Sequence, residues 1–279
     1  MNSREPAAPA RVARHYDELD RWYRLLWGEH LHHGWWRTGG ETVEEATEAL
    51  VEEVARRAEL TEGTRVVDLG SGYGATARLL ARRWRCRVTA VTLSPVQHVH
   101  AEAAPPVSPR PDYRLGDFTR MDLPGNAFDA VIAIESLSHV EELDAAAAEA
   151  ARILRPGGRL VACVWLGGER VGRLRRRLLA DPVVAEGRLA RLAPAAVYAD
   201  ALTRAGFLVE EVEDVSARVR RTWWICLRRT AARLVRDAEA RRVVAAGGEG
   251  VFAWTVPRLL AAYWVGALRY GIFTARLAR

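Results

Sequence analysis

The chain has 279 residues, 49% of them hydrophobic, and a formal charge of +6 at pH 7. This length accommodates one large α/β domain or a core domain with appended segments. The three cysteines, Cys86, Cys163 and Cys226, lie far apart in the chain. That spacing excludes a disulfide framework and a Cys-x-x-Cys metal clip.

Targeting signals are not evident in the sequence. The first thirty residues are polar and charged and lack the apolar core of a signal peptide. The longest apolar stretch, around Val251 to Leu268, contains Pro257 and Arg258, which argues against a membrane span. We therefore expect a soluble, cytoplasmic enzyme or binding protein.

The positive charge is concentrated in two late segments. Residues 169–192 contain seven arginines and three acids, and residues 218–242 contain nine arginines and two acids. These segments are either solvated helix faces, anchors for an anionic substrate such as a diphosphate, or a surface for transient membrane contact.

The first predicted elements form a helix, a strand and a second helix. A capping box at Thr42 and Glu45 opens a helix in "ETVEEATEALVEEVARRAEL". A β-branched strand at Val66 to Leu69 then leads through a glycine-rich turn into a helix that ends near Trp84.

The next unit has the same order. "RVTAV" predicts a strand and "SPVQHVHAEAA" a helix, with Ser94 as N-cap, Pro95 at the first position and Gln97 completing a second capping box.

Strands and helices continue to alternate up to Trp165. Strands are predicted in "DYRLGDF", "FDAVIAIES" and "RPGGRLVACVW", with a helix over Glu141 to Leu154. The apolar runs Ala130 to Ile134 and Leu160 to Trp165 suit strands that are buried on both faces. The pattern predicts an α/β fold with a doubly wound, mostly parallel sheet.

The remainder of the chain begins with an arginine-rich helical lid insertion at about residues 168–195. A helix from Pro194 to Ala205 with Gly206 after it, and a strand in "FLVEEVED", return to the core pattern. Thr255 with Pro257 indicates a helix start, and "RYGIFTARL" predicts a last strand.

The stretch "VVDLGSGYG" predicts a nucleotide-like ligand. Glycines 70, 72 and 74 after a buried strand allow a tight turn and close approach of a ligand to the backbone. A dinucleotide site would require G-x-G-x-x-G and an acid after the second strand, whereas this chain has G-x-G-x-G and "VTLS". An NAD site is therefore disfavoured.

From Thr64 to Trp165 the chain resembles the class I S-adenosylmethionine (SAM)-dependent methyltransferases. The motifs that carry the resemblance are "VVDLGSGYG", "TLSPVQ", "GDF", "FDAVIAIESLSH" and "ILRPGGRLV". The resemblance implies a Rossmann-like fold with a seven-stranded sheet and SAM as cofactor. It divides the chain into an N-terminal helical cover (residues 1–60) and a SAM-binding core (residues 61–279).

The resemblance also implies the cofactor site. Asp68 supports a loop whose Gly70, Ser71 and Gly72 border the methionine part of SAM. In the sterol, cyclopropane-fatty-acid and tocopherol branch, "TLS" followed by glutamine serves the ribose. The further candidates are Thr92, Leu93, Gln97, Gly116, Asp117, Phe118, Ile134, Glu135, Tyr16 and Trp36. An alternative is that Thr92 only ends a strand and Gln97 only caps a helix.

The N-terminal "YDELDRWYRLLWGEHLHHGWW" resembles the entry segment of γ-tocopherol methyltransferases and of bacterial natural-product relatives, and the C-terminal "VFAWTVPRLLAAYWVGALRYGIFTARL" is similar to the tocopherol type. We expect an acceptor-pocket segment at about residues 218–270. Histidines 30, 32 and 33 could be read as a zinc tract, but adjacent histidines rarely converge in tetrahedral geometry and no cysteine is near. We expect no metal. The stretch Trp27 to Trp36 is then either a cover over the cofactor and a wall of the acceptor pocket, or plain aromatic core.

Proton-handling candidates follow the fourth strand in "IESLSHVEE". Glu135 could stabilise a carbocation, and His139 could deprotonate a phenol or an ammonium group. His33 is a further catalytic candidate, with His32 in reserve. His139 could equally be a structural histidine bonded to backbone.

These features predict methyl transfer to a hydrophobic, aromatic or isoprenoid-containing small molecule of specialised metabolism, with carbon slightly preferred over oxygen or nitrogen. A prenyl diphosphate acceptor would be anchored by arginines such as 175–177. The alternatives are a nucleic-acid methyltransferase, which the absence of a base-amine motif disfavours, and a non-catalytic SAM-fold binding protein. Peripheral membrane contact and a homo-oligomer are open.

Overall fold

The computed structural model describes residues 8–26, 29–169, 171–236 and 251–278. Across these ranges seven strands form one sheet in the order β3-β2-β1-β4-β5-β7-β6, in which only β7 runs antiparallel to its neighbours. The strands are β1 (Arg65–Leu69), β2 (Arg87–Thr92), β3 (Asp112–Leu115), β4 (Phe128–Ile134), β5 (Leu154–Gly167), β6 (Phe207–Asp214) and β7 (Leu268–Leu277). The predicted doubly wound, mostly parallel sheet is confirmed.

The helices flank this sheet on both faces. They are α1 (Ala8–Leu26), α2 (Val43–Arg57), α3 (Ala75–Trp84), α4 (Pro95–Ala103), α5 (Leu143–Ile153), α6 (Arg173–Arg175), α7 (Asp181–Glu186), α8 (Ala195–Arg204), α9 (Ser216–Val219), α10 (Arg221–Arg236) and α11 (Val251–Trp264). A 3₁₀ turn covers Leu137–His139 and a π-helical turn covers Arg176–Ala180. Among the helices described, none has the length and apolarity needed to cross a bilayer.

The hydrophobic core has two layers because successive strand residues point to opposite faces of the sheet. Val66 and Ile132 join one layer, and their neighbours Val67 and Val131 join the other. All four are fully buried. The continuous apolar runs in the sequence therefore reflect strands that are covered on both sides.

The predicted helix caps are confirmed with one exception. Thr42 and Glu45 form the expected capping box at α2, and the Ser94 hydroxyl accepts the backbone N–H of Gln97 at α4. The Gln97 side chain does not close a second box. It is buried, and its Oε1 accepts the Thr92 hydroxyl at 3.0 Å, so it ties the helix to the end of β2 instead.

The predicted helix start at Thr255 is wrong. Helix α11 already includes Val251, and Pro257 lies inside it. Three buried residues, Val256, Leu259 and Ala262, pack this helix against the core. This packing outweighs the hydrogen bond that the proline removes. The Thr255 hydroxyl donates to Glu186 at 2.5 Å rather than capping the helix.

Candidate functional site

A cavity of about 840 Å³ opens at the carboxyl ends of β1, β2 and β4. Helix α1 borders it on one side, and the segment from Val183 to Leu189 borders it on another. Open α/β sheets bind their ligands at this edge, and the volume lies within the range of small-molecule sites. The position therefore identifies the cavity as the candidate active site.

The glycine-rich loop after β1 forms the floor of the cavity. Gly70 has φ of +80°, and a Cβ built on it would lie 2.4 Å from the Cβ of Ser136. Gly72 has φ of +55°, but a Cβ there would meet only Gln97 Nε2 at 4.0 Å. Gly70 is thus required for close packing of two loops, whereas Gly72 leaves room for a ligand.

Three buried polar atoms among the cavity-lining residues have no hydrogen-bond partner within the described part of the chain: Asp68 Oδ2, Ser71 Oγ and Ser136 Oγ. Burial raises the pKa of Asp68 to about 7. Because buried polar groups are normally paired, these atoms indicate a ligand with several polar groups at this end of the cavity.

The loops after β2 and β3 form a second wall. Thr92, Leu93 and Gln97 line the cavity at the end of β2. Asp117 Oδ1 accepts the backbone N–H and the hydroxyl of Thr119, both at 2.8 Å, which fixes the next loop with Phe118 in the lining. These segments provide a mixed polar and apolar surface.

Helix α1 is fastened over the cavity by side chains along its length. Asp17 accepts the Ser94 hydroxyl at 2.5 Å, and Asp20 accepts the Tyr73 hydroxyl at 2.7 Å. A further contact joins the Tyr16 hydroxyl to His139 Nε2 at 2.9 Å. The helix therefore closes the site through polar contacts with three different loops.

Glu135 lies at the end of β4 in a left-handed backbone conformation with φ of +62°. One of its oxygens accepts the backbone N–H and the ring Nδ1 of His33 and the hydroxyl of Tyr270, at 2.7 to 2.8 Å. The other accepts the indole N–H of Trp165 at 2.7 Å. Burial would raise the pKa of this carboxyl, but the His33 contacts lower it to about 2.

His33 is the centre of an aromatic cluster. Its Nε2 accepts the indole N–H of Trp223 at 2.7 Å, and Tyr263 lies 3.1 Å from the same atom. Since an indole can only donate, the ring proton of His33 is on Nδ1, facing Glu135. Both ring nitrogens of His33 and both oxygens of Glu135 are therefore occupied by internal hydrogen bonds. Neither residue is arranged as a proton acceptor for an incoming substrate.

Both ring nitrogens of His139 also have partners, but the partner at Nε2 is a hydroxyl group of a residue that lines the cavity. Its Nδ1 lies 3.1 Å from the carbonyl oxygen of Arg188, and a carbonyl only accepts, so the proton is on Nδ1. Burial lowers the pKa of His139, which keeps the ring neutral near pH 7. The lone pair on Nε2 then faces the Tyr16 hydroxyl. His139 is the cavity residue best suited to accept a proton.

Comparison with known proteins decides the family. The methyltransferase domain family matches residues 67–162. The chain is 33% identical over 223 residues to the 27-O-demethylrifamycin SV methyltransferase of Amycolatopsis mediterranei, covering 77% of this chain and 80% of that protein. The chain is a SAM-dependent methyltransferase.

Two further proteins are similar to the methyltransferase over most of its length. It is 30% identical over 206 residues to the sterol 24-C-methyltransferase of Eremothecium gossypii, covering 72% of this chain and 55% of the relative. The crystal structure of the [4+2]-cyclase SpnF matches it with a TM-score of 0.80 and 29% identity, covering 98% of this chain and 97% of that one.

The cofactor of the methyltransferase is SAM. The cavity residues fit this cofactor. The unpaired carboxyl oxygen of Asp68 can accept from the amino group of its methionine part, and the unpaired hydroxyls of Ser71 and Ser136 can donate to its carboxylate. Ser136 was not predicted from the sequence, although it directly follows the predicted Glu135.

Most of the predicted cofactor residues of the methyltransferase line this one cavity. They are Tyr16, Asp68, Gly70, Ser71, Gly72, Thr92, Leu93, Gln97, Asp117, Phe118, Ile134 and Glu135. Gly116 is not in the lining. Its N–H donates to the Thr92 carbonyl and continues the pairing of β2 and β3.

The prediction that Trp36 lies near the cofactor does not agree with its position. Its indole donates to the Thr222 hydroxyl at 3.0 Å, and the side chain is buried outside the cavity lining. Trp165 and Trp223 supply the aromatic wall instead. Sequence reasoning missed both, although Trp165 stands near the end of a buried strand, where a polar-tipped aromatic residue could have been noted. Trp27 and Gly28 lie outside the described residues.

The histidine tract of the methyltransferase forms hydrogen bonds within itself. His30 Nδ1 lies 3.1 Å from His32 Nε2, and His32 Nδ1 donates to the carbonyl of His33 at 2.9 Å. In the ranges that the structure describes, no group of three or more histidine, cysteine or acidic side chains is arranged to hold a metal ion.

The cavity lining has an excess of acidic side chains, whereas the chain as a whole has a positive charge. Eight carboxylate side chains line it within the described residues, against the single arginine Arg188. Burial lowers the pKa of His15 to about 4 and that of His30 to about 3, so these histidines are neutral. Arginines 175–177 are exposed and do not line the cavity. The predicted anchoring of a diphosphate by these arginines is not supported by their positions.

Proposed function

We propose that this methyltransferase transfers the methyl group of SAM to a hydroxyl group of a largely apolar, ring-containing natural product. The observation that carries the proposal is the neutral imidazole of His139, whose unprotonated Nε2 faces the hydroxyl of Tyr16, a residue of the cavity lining. A hydroxyl needs a base as its oxygen attacks, whereas Glu135, with a pKa of about 2 and four donors, is a poor one.

The chain's own residues would perform three tasks. Bound SAM supplies an electrophilic methyl group on a sulfonium. The glycine-rich loop and Ser136 hold its methionine part, while α1 excludes water from the reacting centre. His139 takes the proton of the acceptor hydroxyl, and the Arg188 carbonyl keeps its ring in the required tautomer.

The acceptor class follows from the lining. Trp165, Trp223, Val183, Leu189 and Leu259 supply apolar surface, and the carboxylate excess disfavours an anionic group. A hydrophobic acceptor without a diphosphate therefore fits the cavity better than a prenyl diphosphate. The relative from Amycolatopsis is named for 27-O-demethylrifamycin SV, which supports oxygen as the target atom.

A second candidate is reaction at carbon, either methylation or a ring closure. The ionised Glu135 among the aromatic faces of Trp165 and Trp223 could stabilise a cation on the acceptor. The likeness to a [4+2]-cyclase over nearly the whole chain supports the ring closure. The sequence-based preference for carbon belongs to this alternative.

The deciding experiment measures S-adenosylhomocysteine production from SAM with 27-O-demethylrifamycin SV, 1-naphthol, geranyl diphosphate and a sterol, followed by mass spectrometry of each product. We expect a methyl ether from a hydroxyl acceptor, and a drop in kcat of about 10²- to 10⁴-fold in His139→Gln. Methylation only at carbon would refute the hydroxyl proposal. Binding of S-adenosylhomocysteine without any turnover would favour a non-methylating role.

A further inference from the structure

Tyr16 lines the cavity beside the candidate base, His139. It is carried by α1 and places its hydroxyl oxygen 2.9 Å from Nε2 of His139. The two residues are 123 positions apart, so the contact exists only when α1 is closed over the site.

The direction of this hydrogen bond is fixed by the other side of the imidazole. Nδ1 of His139 donates to the Arg188 carbonyl, which leaves one lone pair on Nε2. The Tyr16 hydroxyl donates to that lone pair. An acceptor hydroxyl therefore cannot bond to Nε2 while Tyr16 is in place, but it can donate to the Tyr16 oxygen, because a phenol oxygen both donates and accepts hydrogen bonds.

Displacement of Tyr16 by the acceptor is opposed by the rest of α1. Asp17 and Asp20 bond to Ser94 and Tyr73, and Arg11 pairs with Glu141 at 2.8 Å. These contacts lie on both sides of Tyr16 along the helix. Moving α1 away from His139 would strain or break them.

We propose that Tyr16 is a catalytic residue that relays the acceptor's proton to His139. The proposal rests on hydroxyl methylation as the function. As the acceptor oxygen bonds to the methyl carbon, its O–H proton passes to the Tyr16 oxygen and the tyrosine's own proton passes to His139 Nε2. The carbon–sulfur bond breaks, and its electron pair remains on sulfur in S-adenosylhomocysteine. The tyrosine ends neutral and the histidine ends as the cation.

The first test needs no acceptor. In the complex with S-adenosylhomocysteine, the ¹⁵N resonances of His139 report its tautomer and whether Nε2 accepts a hydrogen bond. We expect Tyr16→Phe to shift the Nε2 resonance towards that of a free imidazole nitrogen while Nδ1 stays protonated. An unchanged Nε2 resonance would overturn the relay.

The second test uses single-turnover rates with the hydroxyl acceptor that gives turnover in the product assay. In mixtures of H₂O and D₂O, we expect the wild type to show a curved dependence on deuterium fraction, because two protons move together. Tyr16→Phe should lose about 10²-fold or more in rate and give a linear dependence.

The matched control is Tyr73→Phe, which removes a hydroxyl that fastens the same helix by donating to Asp20. We expect it to raise the KM for SAM and to keep the curved dependence. The relay would be refuted by a Tyr16→Phe enzyme with nearly the full rate, or by a slower one whose rate still depends on deuterium fraction along a curve. Neither result would refute hydroxyl methylation. Absence of any methyl ether from the wild type would refute the proposed function itself.

Discussion

His33 donates both its backbone N–H and its ring Nδ1–H to a single oxygen of Glu135, at 2.7 and 2.8 Å. The pair joins residues 102 positions apart and fastens the cover segment to the end of β4. It also holds Glu135 in a left-handed conformation that a non-glycine residue adopts only when its surroundings enforce it.

Glu135→Gln should destabilise the protein by about 3 kcal/mol, because an amide cannot accept all four of the buried donors around it. The measurement is the free energy of unfolding in urea at pH 7. The control is Glu142→Gln, an exposed residue shortly after the 3₁₀ turn, which should change stability little. Equal stability of the two variants would contradict a structural role for Glu135.

The same pair predicts an acid-sensitive contribution to stability. The folded-state pKa of Glu135 is about 2, below its ordinary value of 4.5. Its contribution is therefore complete above pH 4.5 and is lost as the pH falls towards 2. We expect the stability difference between wild type and Glu135→Gln to shrink over that interval when unfolding is followed by circular dichroism. A difference that does not change with pH would show that the charge of Glu135 is not the stabilising feature.

Gly70→Ala should abolish cofactor binding. Its φ of +80° strains any other residue, and the new Cβ would clash with Ser136 at 2.4 Å. Gly63→Ala is the matched control, since Gly63 has φ of +81° but no atom within 4 Å of the new Cβ. We expect the control to lose about 1 kcal/mol of stability and to bind S-adenosylhomocysteine normally by calorimetry. Similar binding by both variants would mean that the Gly70 to Ser136 contact does not shape the site.

Binding of S-adenosylhomocysteine should tighten as the pH rises from 6 to 8. The pKa of Asp68 is raised to about 7 in the ligand-free protein, so the carboxyl is largely protonated below that pH. A cationic amino group of the ligand near Asp68 favours the ionised form, and binding then releases a proton. Calorimetry in two buffers of different ionisation enthalpy measures this release. Asp68→Asn should bind with little pH dependence, and a wild type that behaves in the same way would refute the assignment.

Replacement of arginines 175–177 by glutamine should leave the KM values of acceptor and SAM unchanged, because these side chains are exposed and lie outside the cavity lining. Steady-state kinetics with the hydroxyl acceptor provides the measurement. A higher KM for the acceptor alone would restore a binding role for this segment.

The sequence by itself determined the sheet, its helices and the cofactor loop. These depend on local information, namely two-residue and 3.6-residue periodicity, capping residues, and glycines where the backbone requires positive φ. The strand from Val66 to Leu69 and the glycines that follow it could therefore be placed from the order of the residues alone. The position of Pro257 inside α11 could not, because packing of the helix's buried face outweighed the local signal of the proline.

Only the tertiary structure decided which residues meet in the cavity. Trp36 and Trp223 are both buried tryptophans, but the fold directs Trp36 to Thr222 and Trp223 to His33, 190 positions away. The fold likewise gives Glu135 and His139 different surroundings. Four hydrogen-bond donors enclose Glu135, whereas His139 faces Tyr16. Such pairings join distant segments of the chain, and hydrogen bonds between them form only after the sheet and its covering helices have packed. No local pattern in the sequence records them.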